Sequence, residues 1–215
     1  LDDSVNTANI SVVTNLDVSS KEIGDLTGIE NFTALTDLDC EDNLLTSLDI
    51  SNNTALTWLH CFGNQLTALD VSNNTALTEL RCGENALTSL DVSANTSLTL
   101  LRCQDNQLAA LDVSANTALT NLKCFDNQLT ALDLSNNTVL DEVHAGGNMF
   151  SSLDLSSNTV LNKLYCSRSD SLTSLNLSNN TALTELRCFE NQLTALDLSN
   201  NAALTLLWCY NNSLT

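Results

Sequence analysis

The chain has 215 residues, 43% of them apolar, with six glycines and no proline; seven Lys and Arg stand against 26 Asp and Glu, a formal net charge of −19. This balance makes nucleic acid and anionic membrane poor partners for the surface as a whole, and no apolar run is long enough to insert into a bilayer. No segment reads as a leader with a basic start and an apolar middle, so a removed leader or a mature fragment is expected.

Residues 1–12, LDDSVNTANISV, precede any repeat and are expected to cover the first coil and its unpaired strand edge. Residues 13–34 form a divergent 22-residue copy with Gly24 and Gly28, whose return half is expected to be irregular or a short helix. Residues 1–34 are thus an N-terminal cap with a divergent first repeat, and residues 35–215 a continuous run of regular repeats. Regular copies start at Leu35, Leu56, Leu77, Leu98, Leu119, Leu140, Leu161, Leu183 and Leu204, a period of 21 residues that gives ten turns with the first copy. A fixed period of this length means a solenoid, one elongated domain on the order of 45 Å long at the ~4.8 Å strand spacing. The last copy stops at Ser213-Leu214-Thr215, halfway through a turn, so the natural protein is expected to continue.

Within each copy the first ten residues read L-x-x-L-x-C-x-x-N-x and the last eleven read L-T-x-L-D-[VLI]-S-x-N-T-x. Each half alternates apolar and polar residues at the two-residue period of a strand, so the expected fold is mainly β. A parallel sheet is expected on the first half-repeat and a second parallel strand stack on the other. The L-x-x-L-x-C-x-x-N core, with Asn43, Asn64, Asn85, Asn106, Asn127, Asn148, Asn191 and Asn212 at its ninth position, resembles the leucine-rich repeat family. The nested 21-residue form is similar to the bacterial class called IRREKO, and LDVSSKEIGDLTGIENFTALTDL at residues 16–38 resembles internalin-like repeats of secreted bacterial surface proteins. The resemblance implies a secreted or cell-surface scaffold; a scaffold of this kind binds many things, so it does not name the ligand.

The ninth-position Asn residues and their counterparts from Asn53 to Asn201 stand where the chain turns, and their amides are read as partners for buried backbone groups. The pattern breaks in two adjacent coils. His144-Ala145-Gly146-Gly147 interrupts one, and the next inserts a residue within 166–171 and puts Ser169 in the Asn place. An inserted residue should bulge outward and re-aim side chains.

Eight cysteines occupy the sixth position of their copies, with Ala145 in the same slot of the remaining regular coil. Interchange with Ala reads as small and apolar, hence buried free thiols ahead of disulfides. The chain has no C-x-x-C spacing to support a metal, and no cofactor is expected.

The two exteriors differ. The second half-repeat presents a nearly constant Asp column from Asp49 to Asp197 beside a Ser column, expected to be held by hydrogen bonds rather than bound cations. The first half-repeat varies. Its fifth position reads Asp39, His60, Arg81, Arg102, Lys123, His144, Tyr165, Arg187 and Trp208, with Trp58, Phe125, Arg168 and Tyr210 among the flanking residues. Gathering cations and rings on one strip of so acidic a chain points to a recognition face. The competing reading is that the strip neutralises Glu79, Glu142 and Glu185.

No nucleophile, base and orienting group come together in the sequence, so the expected function is non-catalytic recognition or adhesion. The expected ligand is a protein or polysaccharide, with sulfated polysaccharide one example, bound outside the cell by a monomer. The alternatives are a spacer without a ligand, or an ice- or mineral-binding surface built on Thr, Ser and Asp ladders such as Thr57, Thr78, Thr99 and Thr120.

Overall fold

The computed structural model describes residues 10–169 and 171–215. Its strands are three residues each: β1 Asn15–Asp17, β2 Asp37–Asp39, β3 Trp58–His60, β4 Glu79–Arg81, β5 Leu100–Arg102 and β6 Asn121–Lys123. They continue as β7 Glu142–His144, β8 Ser152–Asp154, β9 Lys163–Tyr165, β10 Ser174–Asn176, β11 Glu185–Arg187 and β12 Leu206–Trp208. Ten of them form one parallel sheet in the order β1-β2-β3-β4-β5-β6-β7-β9-β11-β12, one strand per coil. Residues 21 apart pair in register, as in Arg81 with Arg102 and Arg102 with Lys123.

The expected covering segment lies mostly at residues 1–9, outside the described residues. The return half of the first coil holds a short 3-10 turn, Ile29–Asn31, entered through Gly28 at φ 107°, a left-handed conformation that glycine adopts without a Cβ clash.

Each coil encloses a line of apolar side chains. In the coil from Leu119 these are Leu119, Leu122, Cys124, Leu129, Leu132 and Leu134, all buried. The cysteines are free; seven are buried, and burial pushes thiols such as Cys82 and Cys124 up to about 12, so they stay protonated.

Two asparagine ladders close the turns. Asn127 Nδ2 donates to the carbonyls of Cys103, Cys124 and Phe125, while its Oδ1 accepts the Leu108 N–H of the preceding coil. In the second ladder Asn116 Nδ2 donates to Val92 O and Asn95 O, each at 2.9 Å. These amides replace the ladder bonds a buried turn cannot make. Immediately before the first Asn column runs a column of left-handed residues: Asp42, Gly63, Glu84, Asp105, Asp126, Gly147, Arg168, Glu190 and Asn211 all have φ between 47° and 65°.

The second strand stack is shorter than expected. Among the described residues only β8 and β10 pair on that side, one before and one after the insertion in the chain. Elsewhere the backbone there uses local bonds, such as Ser114 N–H to Asp112 Oδ1 and Asn116 N–H to Val113 O, which compete with ladder formation. Those Asp contacts hold the exposed column together as expected, and hydrogen bonds from Ser114 keep the Asp112 carboxyl below its usual range. Among the described residues no helix is long and apolar enough to cross a membrane.

Candidate functional site

Because the pairing is in register, the variable third and fifth positions of the first half-repeat become two adjacent columns on the outer face of the long sheet. The fifth column runs Asp17, Asp39, His60, Arg81, Arg102, Lys123, His144, Tyr165, Arg187, Trp208 without a break. The third holds Trp58, Glu79, Glu142, Lys163 and Glu185 among others. All eight expected fifth-column candidates from His60 to Trp208 therefore share one face.

Part of the charge is neutralised within the strip. Glu79 Oε1 lies 2.8 Å from His60 Nε2 and 2.7 Å from Arg81 Nε, although the Arg81 N–H is not aimed at it. Burial pushes the Glu79 carboxyl up, but hydrogen bonds from Trp58 and His60 and the Arg81 charge outweigh it and hold it below its usual value. Glu142 lies 2.5 Å from His144 and 3.7 Å from Lys123. Burial, then the neighbouring Lys123, nevertheless hold His144 down to about 4, so the ring is neutral at pH 7. Lys123 is itself lowered by burial and then by Arg102.

The expected pairing of Glu185 with Arg187 does not form. Glu185 instead accepts from the Tyr165 hydroxyl at 2.6 Å and lies 3.8 Å from Lys163. Burial, then that bond, pushes Tyr165 up to about 12. The Arg187 guanidinium sits between two rings, 4.4 Å from the Tyr165 centroid and 4.2 Å from that of Trp208. Among the described residues no carboxylate lies within 4.0 Å of Arg102 or Arg187, and the Nε of each is buried without a hydrogen-bond partner.

Around Arg187 the face sinks into a groove of about 270 Å³, lined by Phe125, Asp126, His144, Gly146, Gly147, Tyr165, Ser167, Arg168, Arg187, Phe189 and Trp208. Six of the residues expected from the sequence meet there: Phe125, His144, Tyr165, Arg168, Arg187 and Trp208. Tyr210 stands beside it, stacked on Phe189 with centroids 4.7 Å apart. Trp58, His60, Arg81, Arg102 and Lys123 lie further along the same face. The floor is the glycine pair. A Cβ on Gly146 would stand 2.4 Å from Ser167 O, and one on Gly147 2.0 Å from Asp126 Oδ1, so side chains there are excluded twice over. The inserted coil contributes Arg168, which reaches out to Glu190 at 3.2 Å and over the Phe189 ring at 5.7 Å. From sequence, Phe189 falls among the rings that flank the strip but not among the expected ligand residues, and nothing singles out Asp126, Ser167 or the glycine pair as groove residues. The usable signal was a pair of glycines at positions 146 and 147, where the coils at Gln104-Asp105, Phe125-Asp126 and Phe189-Glu190 carry a large residue and an acid.

At the other end of the face, Asp39, Glu41 and His60 bring one donor atom each to within 4.8 Å of one another, a set able to hold a metal ion. The two histidines lie on β3 and β7, four coils apart, and do not form a common acid-base pair.

The LVIVD repeat family matches residues 61–81, the length of one coil. No curated protein matches the chain significantly. Among solved structures, a functional domain of InlJ from Listeria monocytogenes, described as including a cysteine ladder, is 44% identical over 97% of this chain and 46% of its own, with a TM-score of 0.95. A leucine-rich-repeat protein from Leptospira interrogans is 26% identical over 94% of this chain and 56% of its own, with a TM-score of 0.88. The chain thus spans about half the length of these two structures. Internalin C2 from Listeria monocytogenes, 23% identical over 94% of this chain and 84% of its own, shares the fold at a TM-score of 0.74. With its 21-residue coils, its two asparagine ladders and its column of inward cysteines, the chain is a leucine-rich-repeat protein of the internalin-like type.

Proposed function

We propose that this chain is a non-catalytic recognition module that acts outside the cell and binds an acidic polysaccharide through the variable strand face, with the groove around Arg187 as its centre. The observation that carries this reading is the Arg187 guanidinium: stacked between Tyr165 and Trp208, it has no carboxylate within 4.0 Å among the described residues of a chain with net charge −19. A cation left unpaired amid so many acids is available to an incoming anion, and Phe189 and Trp208 offer flat apolar surfaces to a sugar ring. A groove of about 270 Å³ has room for a sugar unit rather than a folded loop.

A second reading, a protein ligand, is supported by the exposed rings of Trp208 and Tyr210 at the groove's edge, since aromatic side chains and Arg dominate protein interfaces. Ice or mineral binding has less support, because the Thr ladder spends its hydroxyl protons on backbone, as in Thr99 Oγ1 to Thr78 O at 3.1 Å.

A glycan array of uronate-bearing and sulfated oligosaccharides, run at low and high ionic strength, tests the proposal. Salt-sensitive binding is expected, weakened about tenfold or more by Arg187→Ala, equivalent to ~1.4 kcal/mol, and unchanged by Asp112→Asn on the opposite side. Absence of binding to every acidic glycan would refute the polysaccharide reading. Binding to a surface protein that Trp208→Ala abolishes would establish the second reading, and an inert chain in both assays would leave a spacer.

A further inference from the structure

Far from the groove, the strand face carries a different set of groups. Asp39 ends β2, Glu41 follows two residues later, and His60 ends β3 directly in register with Asp39. The His60 side chain is only 3% exposed, its ring tilted 46° against that of Trp58 with centroids 3.6 Å apart, so the imidazole is closely packed. Its Nε2 lies 2.8 Å from Glu79 Oε1, a contact that places the proton on Nε2. Its Nδ1 then turns toward Asp39, whose Oδ2 is 3.8 Å away, too far for a hydrogen bond.

His60 Nδ1 and Asp39 Oδ2 thus face each other across a gap that no hydrogen bond closes. A gap of that width suits an ion, because two ligands ~2.0–2.2 Å from one metal stand well over 3 Å apart.

We propose that Asp39, Glu41 and His60 Nδ1 bind one divalent transition-metal ion, with Zn²⁺ as the reference ion, and that Glu79 positions the ring. One nitrogen and two oxygen donors within 4.8 Å need only a small inward rotation of the two half-exposed carboxylates to reach ligand distances. Glu79 is the partner that a metal-bound imidazole takes on its second nitrogen. Three protein ligands leave a coordination position open to water or to a donor from a bound partner. This site is independent of the acidic polysaccharide reading, lying on β2 and β3 while the groove spans the coils after β5.

The test is calorimetric titration of the whole chain with ZnCl₂ at pH 7.5, with Co²⁺ absorption as a geometry readout and histidine ¹⁵N shifts as an assignment. One equivalent is expected, with the His60 Nδ1 resonance moving on binding. Asp39→Asn and Glu41→Gln should each weaken affinity at least tenfold, and Glu79→Gln should weaken it about 10–100-fold, the range for loss of such a partner. Asp112→Asn should leave binding unchanged. Since His60→Asn alters a buried residue and can disturb folding, the half-exposed Asp39 and Glu41 variants carry the decision, with circular dichroism as the folding control. No binding, binding indifferent to Asp39→Asn and Glu41→Gln, or a His60 ring that shows the shifts of an imidazolium and ignores zinc would each overturn the proposal.

Discussion

Asn116 shows how one side chain can hold two coils. Its Nδ2 serves the buried carbonyls of Val92 and Asn95, which also accept the backbone N–H groups of Asn95 and Leu98, so Asn116→Ala removes one of two hydrogen bonds from each and leaves a small void. At ~0.5–1.5 kcal/mol for each hydrogen bond lost, we expect a loss of about 1–3 kcal/mol, read as a lower urea midpoint. His144 makes a separate statement about pH. Its folded value of about 4 lies below the free value of 6.5, so the unfolded chain takes up the proton first as pH falls. The stability contributed by the neutral ring is complete above about pH 6.5 and is lost progressively as pH falls toward 4. Urea midpoints measured across this window should decline, and His144→Gln should flatten the decline. The exposed Asp column acts lower: its carboxyls, held down by Ser hydrogen bonds, lose their contribution only as pH falls below the ordinary Asp value of 3.8. Residue-level roles such as these were only partly legible in the sequence. That Arg187 stacks between rings while Arg81 lies against a carboxylate depends on the rotamers of long side chains, which repeat spacing does not fix.

At the scale of the coil, the left-handed column is the least economical feature. Asp105 adopts φ 54°, and burial, then Asp126 and Glu84, push its carboxyl up, so it stands both strained and among like charges. Asp105→Gly should relieve both at the cost of a more flexible unfolded chain, a net gain of about 0.5–1 kcal/mol visible as a Tm higher by roughly 1–3 °C. Gly147→Ala should do the reverse and also fill the groove floor, since its Cβ would meet Asp126 Oδ1. The cysteine column is more tolerant. Cys124→Ala should cost only about 1 kcal/mol, because the next coil already carries Ala145 in that slot, buried in the same core. The coil was largely readable beforehand: apolar alternation located the long sheet and its buried residues. The same alternation over-reached on the return side, where Leu111 and Val113 are buried like strand residues while the N–H groups of Ser114 and Asn116 just beyond them go to Asp112 Oδ1 and Val113 O rather than to a neighbouring strand.

In the whole molecule, one number carried most of the fold. A 21-residue period makes neighbours of residues that far apart, which is why the sequence alone places Arg81, Arg102 and Lys123 side by side. The groove was less legible, since it is a departure from the repeat: Gly146, Gly147, Ser167 and Arg168 line it where the two adjacent coils break the pattern that made the rest predictable.

The same break has a kinetic meaning. A chain of near-identical loops can dock one unit out of step and still bury leucine against leucine, so misaligned states compete closely with the correct one. The stretch after Cys166, with Ser169 at an asparagine site and β8 paired to β10, fits at a single address and serves as an alignment mark. Deleting Ser171 and restoring Asn at position 169 should therefore leave the final shape intact while adding slow, heterogeneous refolding phases, measurable by stopped-flow fluorescence of Trp58 and Trp208.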